Sequence, residues 1–483
     1  MRVKQIVTLI LALACVPAMV GCDFTAFANN IAPTQVATEQ PTEAPTKAEL
    51  CKVQIMSLDK QNLTDDITYN VYMVDRNSVG TAVKENLKTV NGLAHIDLEK
   101  GDYRIEANIG DYWQNFSVEK NETTKIVEVE NNIMYKALSR ARSVCIIGDS
   151  ITIGSSSGGY GWYDGLIDRF DNIETVDVAA TGGQTSASIF DNEKDMEIIK
   201  NSSAETYIIA LGINDVIYRE KDGNDTTYTT AEYIKNLENL VKYINDKDES
   251  KNNRFIFIAP FEYINKHSYQ LTKYIRRENT HQEYTIALYN WCNLNNYAFA
   301  APMNCIKTTL STVENPDEYT VDDVHPKYPL GTQLYSRATY QSSVVSPNGT
   351  LNIFQLFYQE TERSSTAKNY STYPMDYKKV EVDDEILKES YFTIKNYNTG
   401  EYVALKETAM GDYNFKELSK VAHYYHPIDK GWITINNLPK GGYIISLEYN
   451  KLGYTSYLDT EIVFVNGGDN IMTNSYIYMK NSK

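Results

Sequence analysis

The chain has 483 residues, a formal net charge of −17 at pH 7, 42% hydrophobic residues and 12% aromatic residues. The length favours about three domains, and the apolar content argues against a largely disordered protein. The acidic charge and the lack of a basic tract argue against a nucleic-acid partner, because nothing is available to neutralise phosphates.

Residues 1–22 form a predicted export signal. Arg2 and Lys4 precede an apolar run from Ile6 to Val20, which is too short and too interrupted by proline to predict a membrane span. Met19-Val20-Gly21-Cys22 resembles a bacterial lipobox, in which Cys22 would be acylated and become the new N-terminus. We favour this interpretation because Cys22 lies where the apolar run ends. Ordinary cleavage after Ala26-Phe27-Ala28 is the alternative.

Residues 23–49 contain APTQVATEQPTEAPTK, a stretch rich in Thr, Pro and Glu without an apolar period. This composition predicts a solvated, semi-extended linker. Together with the leader, it predicts an exported protein at the cell surface. A lipid on Cys22 would anchor it to a bacterial membrane, and without that lipid it would be secreted.

Residues 50–133 consist of short alternating runs that are separated by turn residues: KVQIM, YNVYMV, AHIDL, DYRIEANI, FSVE and KIVEVE. Period-two alternation with regularly spaced turns predicts a small antiparallel β-sandwich domain.

Residues 138–345 alternate between short β-rich runs and helical segments. The runs are SVCIIGDS, TVDVAA, TYIIALG, RFIFIAP and YAFAAPM. One predicted helix carries an apolar stripe of Ile234, Leu237, Val241 and Ile244, and Thr229 with Glu232 predicts a capping box at its start. The alternation predicts an α/β domain, in which helices cover both faces of a parallel sheet and ligands bind beyond the carboxyl ends of the strands.

Residues 350–483 return to short strands and predict a second β-rich domain. NGLAHIDLEKGDYRIEA at 91–107 and KGWITINNLPKGGYIIS at 430–446 share one pattern: a strand, a Leu, a Lys-Gly turn and a second strand with Tyr. Both segments resemble the prealbumin-like repeats of Gram-positive surface proteins of the collagen-adhesin B-region type. The resemblance implies sandwich domains on both sides of the α/β domain.

Polar or glycine-rich pieces follow three of the apolar strands. Gly148-Asp149-Ser150 places a serine at the predicted ligand edge, Gly182-Gly183 can bring a backbone amide close to an anion, and Asn214 offers an uncharged donor. Each piece alone is more typical of an ordinary turn.

A fourth piece, Asp322-Asp323-Val324-His325, places a carboxylate three residues before a histidine. This spacing lets the carboxylate fix the tautomer of the imidazole, which leaves its other nitrogen free as a base. Taken alone, a histidine in an acidic loop is usually a surface residue. The four pieces together supply the nucleophile, base, orienting acid and oxyanion donors that serine acyl chemistry requires.

The order Ser, Gly, Asn, Asp-x-x-His resembles the block pattern of the SGNH/GDSL hydrolases, which have a flavodoxin-like parallel sheet. The resemblance implies that Ser150 is the nucleophile, His325 the general base and acid, and Asp322 its orienting carboxylate. It also implies an oxyanion hole made of the backbone N–H groups of Ser150 and Gly183 and the side chain of Asn214. Ile151 stands where the family's motif usually has Leu.

We therefore predict an exported serine esterase that hydrolyses carboxylic esters, with an acylated small molecule or polysaccharide as substrate and deacetylation of a glycan as its reaction. A lipase or thioesterase is the alternative with the same chemistry, and a non-catalytic surface adhesin is the alternative from another class. The mechanism requires no metal and no other cofactor. Cys292 and Cys305 could pair, but buried free thiols are the favoured interpretation.

Overall fold

The computed structural model describes residues 50–481, except for gaps at 60–61, 64–67, 76–77, 108–112, 131–132, 217, 220–224, 248–251, 265–270, 323, 344–347, 363–374, 384–386, 429–430, 450–453, 457–459 and 468–471. The predicted leader, Cys22 and the linker lie outside the described residues. Among the residues that are described, no helix is both long enough and apolar enough to cross a membrane.

The N-terminal region is all β. Its strands are β1 (Cys51–Asp59), β2 (Asn62–Leu63), β3 (Thr68–Asp75), β4 (Ser78–Lys88), β5 (Leu93–Leu98), β6 (Gly101–Ala107), β7 (Trp113–Val118) and β8 (Thr124–Glu130). They form two four-stranded sheets, one with β2, β1, β5 and β8 and one in the order β4-β3-β6-β7. Side chains of both sheets, such as Ile55 and Ile105, share one buried cluster, as expected for a sandwich.

One strand pair differs from the prediction. The sequence predicted an antiparallel sandwich, but β1 and β8 run parallel, with Lys52 opposite Thr124 and Leu58 opposite Glu130. That part of the prediction is wrong. Alternation shows which side chains face the core, but it carries no information about strand direction.

The central region is the predicted α/β domain. Its helices are α1 (Ile133–Leu138), α2 (Asp164–Ile167), α3 (Glu193–Asn201), α4 (Thr230–Lys247), α5 (Leu271–Asn295), α6 (Met303–Thr312) and α7 (Leu330–Ser342). Its strands are β9 (Ser143–Gly148), β10 (Thr175–Ala180), β11 (Thr206–Ala210), the short pair β12 (Tyr218–Arg219) and β13 (Asp225–Thr226), β14 (Arg254–Ile258) and β15 (Ala298–Ala300).

The five-stranded central sheet has the order β10-β9-β11-β14-β15, and each neighbouring pair is parallel. The strand order reverses at β9, so the ligand crevice of such a sheet lies beyond the carboxyl ends of β9 and β11. Alternate residues of the strands enter two buried clusters: Ile147 and Ile209 pack on one face, Ile146 and Ile208 on the other. The prediction of a parallel sheet that is covered on both faces is confirmed.

Local sequence signals fix several parts of this domain. The side chain of Glu232 accepts hydrogen bonds from the backbone N–H (2.7 Å) and hydroxyl (2.8 Å) of Thr229, whose hydroxyl in turn accepts from the N–H of Glu232 at 3.2 Å. This is the predicted capping box at the start of α4. Trp162 is fully buried, and its indole N–H donates to the hydroxyl of Thr152 at 3.1 Å. Cys292 is a free thiol in the core.

The C-terminal region is again all β. Its strands are β16 (Asn348–Glu362), β17 (Met375–Val380), β18 (Tyr391–Asn396), β19 (Tyr402–Glu407), β20 (Tyr413–Ser419), β21 (Ile433–Pro439), β22 (Gly441–Tyr449), β23 (Tyr454–Ser456), β24 (Glu461–Val465) and β25 (Met472–Asn481). Hydrogen bonds connect them in the order β23-β25-β16-β21-β20-β19-β18-β22-β24, with β17 beside β16. Ile353 of β16 and Ile445 of β22 share one buried cluster, so the two ends of the sheet pack face to face.

Seven strands of each β region pair in the same way, although β20 joins those of the C-terminal region into one sheet. In the N-terminal region β8 pairs parallel and β5 pairs antiparallel with β1, and in the C-terminal region β25 and β21 pair in the same way with β16. The orders β4-β3-β6-β7 and β19-β18-β22-β24 correspond in the same manner. The tyrosine of each repeated segment also donates its hydroxyl to the carbonyl four residues earlier, Tyr103 to Glu99 at 2.9 Å and Tyr443 to Pro439 at 2.7 Å. The repeated sequence pattern therefore marks two domains of one topology.

The C-terminal sheet is attached to the central domain by buried polar side chains. Gln282 accepts a hydrogen bond from the backbone N–H of Phe464 at 2.7 Å, and Asn304 donates to the carbonyl of the same residue at 2.9 Å. Asn466 donates back to the carbonyl of Ala301 at 3.2 Å. Because buried amides need such partners, these bonds fix one orientation of the sheet against α5 and α6.

Candidate active site

Ser150 follows the carboxyl end of β9, the strand at which the order of the sheet reverses. The turn folds back sharply, since a Cβ at Gly148 would lie 2.0 Å from the hydroxyl of Thr152. The carboxylate of Asp149 accepts the N–H of Ile151 at 3.0 Å, and the carbonyl of Asp149 accepts the N–H of Ile153 at 2.9 Å. These bonds hold the turn while Ser150 stays partly exposed at the ligand edge of the sheet.

His325 and Asp322 lie at the tip of a tight hairpin. The backbone N–H of Lys327 donates to the carbonyl of Tyr319 at 2.8 Å, and that of Val321 donates to the carbonyl of His325 at 2.9 Å. Inside the tip, Oδ1 of Asp322 accepts the backbone N–H groups of Val324 at 2.8 Å and His325 at 2.7 Å. The carboxylate is thus held by the same turn that presents the imidazole.

The hairpin brings the predicted catalytic side chains into one hydrogen-bonded row. Oδ2 of Asp322 lies 2.9 Å from Nδ1 of His325, and Nε2 of His325 lies 2.9 Å from Oγ of Ser150. Burial alone would raise the pKa of Asp322, but its hydrogen bonds from His325 and Val324 lower it to about 2. An ionised Asp322 keeps the proton of a neutral His325 on Nδ1, which leaves Nε2 free to accept the serine proton.

A side-chain bond joins the two loops that carry this row. Ser157 is buried and lies nine positions after the end of β9. Its hydroxyl donates to the carbonyl of Pro326 at 2.5 Å. Pro326 directly follows His325, so the loop after Ser150 and the hairpin that carries His325 are fixed to each other. Ser157 could not be predicted from the sequence, because nothing in its local sequence indicates a partner 169 positions away.

The predicted glycine donor lies in a turn beside the nucleophile. The N–H of Gln184 donates to the carbonyl of Thr181 at 3.2 Å, with Gly182 and Gly183 between them. Gly183 has a φ of +76°, a left-handed conformation that favours glycine. A Cβ at Gly182 would lie 3.9 Å from Cβ of Ser150. The turn therefore lies beside Ser150.

Asn214 follows β11 and is oriented toward this glycine turn. Its side-chain amide donates one hydrogen bond to the carbonyl of Gln184 at 3.0 Å. An asparagine amide has two N–H donors, and this bond uses one of them.

The carboxylate of Asp215 connects the loop that carries Asn214 to the loop that carries Gly183, a role that the sequence did not predict. It accepts the backbone N–H of Ser186 at 3.1 and 3.0 Å as well as the hydroxyl of Ser186, which also accepts from Asn236 at 3.0 Å. Burial raises the pKa of Asp215 to about 6, and the bonds from Ser186 partly offset that effect. The side chain thereby ties the loop after β11 to the loop after β10.

The residues 144–328 match the sequence model of the family described as GDSL-like lipase/acylhydrolase. The match begins at β9 and ends just after the hairpin that carries His325, so it covers the whole hydrogen-bonded row. Residues 144–328 form a GDSL-like lipase/acylhydrolase domain. This acylhydrolase domain belongs to a family of hydrolases that act on esters, and the two all-β regions flank it.

Solved structures similar to the chain cover about two fifths of it. An acetylxylan esterase from Geobacillus stearothermophilus is 22% identical, with 41% of this chain and 93% of that chain covered and a TM-score of 0.32. A protein described as a GDSL-like lipase from Parabacteroides merdae is 17% identical, with 41% and 94% covered and a TM-score of 0.33. No curated protein matches the chain in sequence.

Within the residues that the structure describes, no group of three His, Cys, Asp or Glu side chains could hold a metal ion.

The buried carboxyl of Asp149, directly behind the nucleophile, gives a prediction about pH and stability. Its exposed fraction is 1%, and its burial raises its pKa to about 7, which the bond from Ile151 only partly offsets. The folded protein therefore binds this proton more tightly than the unfolded chain does. The resulting contribution of Asp149 to the free energy of unfolding is fully present below about pH 4 and is lost as the pH rises through about 7.

Asp149→Asn removes this titration and keeps an oxygen that can accept from Ile151. Between about pH 4 and about pH 7, the free energy of unfolding of the variant should fall by about 4 kcal/mol less than that of the wild type. Urea unfolding across this range measures the difference. Asp191→Asn, on the surface, should keep the wild-type slope. If the free energy of unfolding changed with pH in the same way in the wild type and in Asp149→Asn, Asp149 would be ionised across this pH range.

Proposed function

We propose that the acylhydrolase domain is a serine esterase, with Ser150 as nucleophile, His325 as general base and acid, and Asp322 as orienting carboxylate. The observation that carries this proposal is the continuous row from Oδ2 of Asp322 through the imidazole to Oγ of Ser150, with 2.9 Å at each step. Such a row is what converts a weakly reactive hydroxyl into a nucleophile.

The mechanism follows from this row. Nε2 of His325 takes the proton of Ser150 as Oγ bonds to the ester carbonyl carbon, and the carbonyl oxygen becomes an oxyanion. When the tetrahedral intermediate collapses, the leaving alcohol takes the proton from His325. Water then attacks the acyl-enzyme while His325 accepts its proton, and Oγ leaves with that proton as the carboxylic acid is released.

The oxyanion is assigned three donors: the backbone N–H groups of Ser150 and Gly183 and the side chain of Asn214. Asn214→Ala removes one of them and should lower kcat for a simple ester about 10²- to 10³-fold, with little change in KM, because the donor acts on a charge present only in the transition state. Steady-state kinetics measure this split. If Asn214→Ala had the same kcat as the wild type, Asn214 would not be a donor of the oxyanion hole.

We propose an acylated glycan as the substrate class and removal of acetyl groups as the reaction. The predicted leader and linker, together with flanking domains that resemble those of surface proteins, support an extracellular polymer as substrate. The test is acetate release from acetylated xylan, acetylated glucomannan, acetylated pectin and O-acetylated peptidoglycan. Turnover of long-chain acyl esters without acetate release from any of these polymers would favour the lipase or thioesterase alternative.

We also propose that the protein is exported and held at the outer surface of a bacterial membrane by a lipid on Cys22. The lipobox-like sequence Met19-Val20-Gly21-Cys22 supports this proposal. Mass spectrometry of the mature N-terminus decides it: a diacylated Cys22 is expected, whereas an unmodified chain that begins at Asn29 would indicate secretion without an anchor.

A further inference from the structure

Two exposed tyrosines, one from the loop after Ser150 and one from the segment after His325, stack on each other. The ring centroids of Tyr160 and Tyr328 lie 4.1 Å apart, and their planes differ by 17°. About half of each residue stays exposed, 50% for Tyr160 and 49% for Tyr328. Burial of large aromatic rings is favourable, so a half-exposed tyrosine pair offers apolar surface that a ligand can cover.

The pair is built from the same two loops as the catalytic row. Tyr160 closes the loop that follows Ser150: Gly154 has a φ of +68°, and a Cβ there would lie 2.4 Å from the carbonyl oxygen of Tyr160. Tyr328 follows His325 by three positions. Because Ser157 donates to the carbonyl of Pro326, both loops and the tyrosine pair are held in one fixed arrangement.

The chemistry of the row determines which part of a substrate meets this pair. The oxyanion must point toward Gly183 and Asn214, since they carry the assigned donors. The oxygen of the leaving alcohol must lie near Nε2 of His325, from which it takes its proton. In the bound ester, the alcohol part therefore extends along the hairpin that carries His325. Tyr328 lies in the segment directly after this hairpin.

We propose that Tyr160 and Tyr328 form a platform for the alcohol part of the substrate, and that this part is an uncharged sugar ring. The inference rests on the proposed esterase function and deepens it. A sugar ring offers a flat C–H face to an aromatic ring, while its hydroxyls at the edge stay hydrated. A fatty chain needs an enclosed apolar site, which two half-exposed rings do not provide. A net charge of −17 disfavours an anionic sugar.

Two substrates distinguish an effect on the tyrosine platform from an effect on the catalytic row. Ethyl acetate reacts at Ser150, but its alcohol part is too small to cover the tyrosines, whereas an acetylated xylo-oligosaccharide can cover them. Tyr160→Ala and Tyr328→Ala should each lower kcat/KM for the oligosaccharide about ten-fold, with kcat/KM for ethyl acetate unchanged. Tyr160→Phe and Tyr328→Phe keep the ring and should retain most of the activity on the oligosaccharide. Tyr424→Ala, at a tyrosine of the C-terminal region that is 59% exposed, is the matched control and should change neither reaction.

Three other outcomes of these assays would contradict the platform or the esterase proposal. A similar loss on both substrates would show that the tyrosines only support the fold of the site, and this would overturn the platform. Loss on ethyl octanoate without loss on the oligosaccharide would place the acyl chain there and would also overturn it. A wild-type protein that hydrolyses neither ester would contradict the esterase proposal itself, a result that is distinct from either failure of the platform.

Discussion

Ser150→Ala is expected to abolish nearly all turnover of a simple acetate ester, with a loss in kcat on the order of 10⁶-fold. Within the hydrogen-bonded row, Nε2 of His325 contacts the hydroxyl of Ser150 at 2.9 Å. Without it no acyl-enzyme can form, and the remaining oxyanion donors can assist only direct attack by water. Initial rates with p-nitrophenyl acetate measure the loss.

The matched control is Ser311→Ala, on α6, where the hydroxyl donates only to the carbonyl of Thr308 at 2.8 Å. This variant should keep wild-type activity. Ser150→Ala should keep the wild-type melting temperature, since Ser150 is partly exposed and removal of its hydroxyl opens no cavity. If a folded Ser150→Ala protein retained turnover within about ten-fold of the wild type, the acyl-enzyme mechanism would be rejected.

Asp322→Asn should lower kcat on the order of 10⁴-fold while KM changes little. The wild-type carboxylate accepts from Nδ1 of His325 through Oδ2 and from two backbone N–H groups through Oδ1. Asparagine can keep its oxygen on the backbone groups, but it then presents an N–H to Nδ1. The imidazole would carry its proton on Nε2 instead, where it cannot accept the proton of Ser150.

Because Asn preserves the backbone bonds of the turn, the hairpin of this variant should stay folded. The pKa of Asp322, lowered to about 2 in the native protein, also means that the wild type keeps the ionised carboxylate across neutral pH. Asp171→Asn, at an exposed carboxylate, is the control and should keep wild-type kcat. If kcat of Asp322→Asn fell by less than about ten-fold, Asp322 would not be the orienting carboxylate of the catalytic row.

The sequence predicted those features that depend on local pattern. The five apolar runs from SVCIIG to AFA are the five strands of the parallel sheet, since their period and their alternation with helices are encoded residue by residue. The structure also brings Ser150 and His325 together: Ser150 follows β9 at the edge of the parallel sheet, and the hairpin between α6 and α7 carries His325 to it.

Features that depend on contacts between distant segments were not predicted. The bond from Ser157 to Pro326 and the bond from Ser186 to Asp215 join loops that are separate in sequence, and serines of this kind are common in any turn. The parallel pairing of β1 with β8 was predicted incorrectly, because alternation does not encode direction. The common topology of the flanking domains was visible only as one repeated segment, since the other strands share the order of pairing without a shared sequence pattern.

The central claim is that Ser150 is the activated nucleophile, and covalent labelling tests it most directly. A fluorophosphonate reacts with a serine whose proton a neighbouring base can take, and the adduct mimics the tetrahedral intermediate. After treatment of the intact protein, mass spectrometry should show one adduct, located on the peptide that contains Ser150, and none in Ser150→Ala or His325→Ala. An unlabelled wild-type protein, or an adduct on a different residue that persists in Ser150→Ala, would contradict the account.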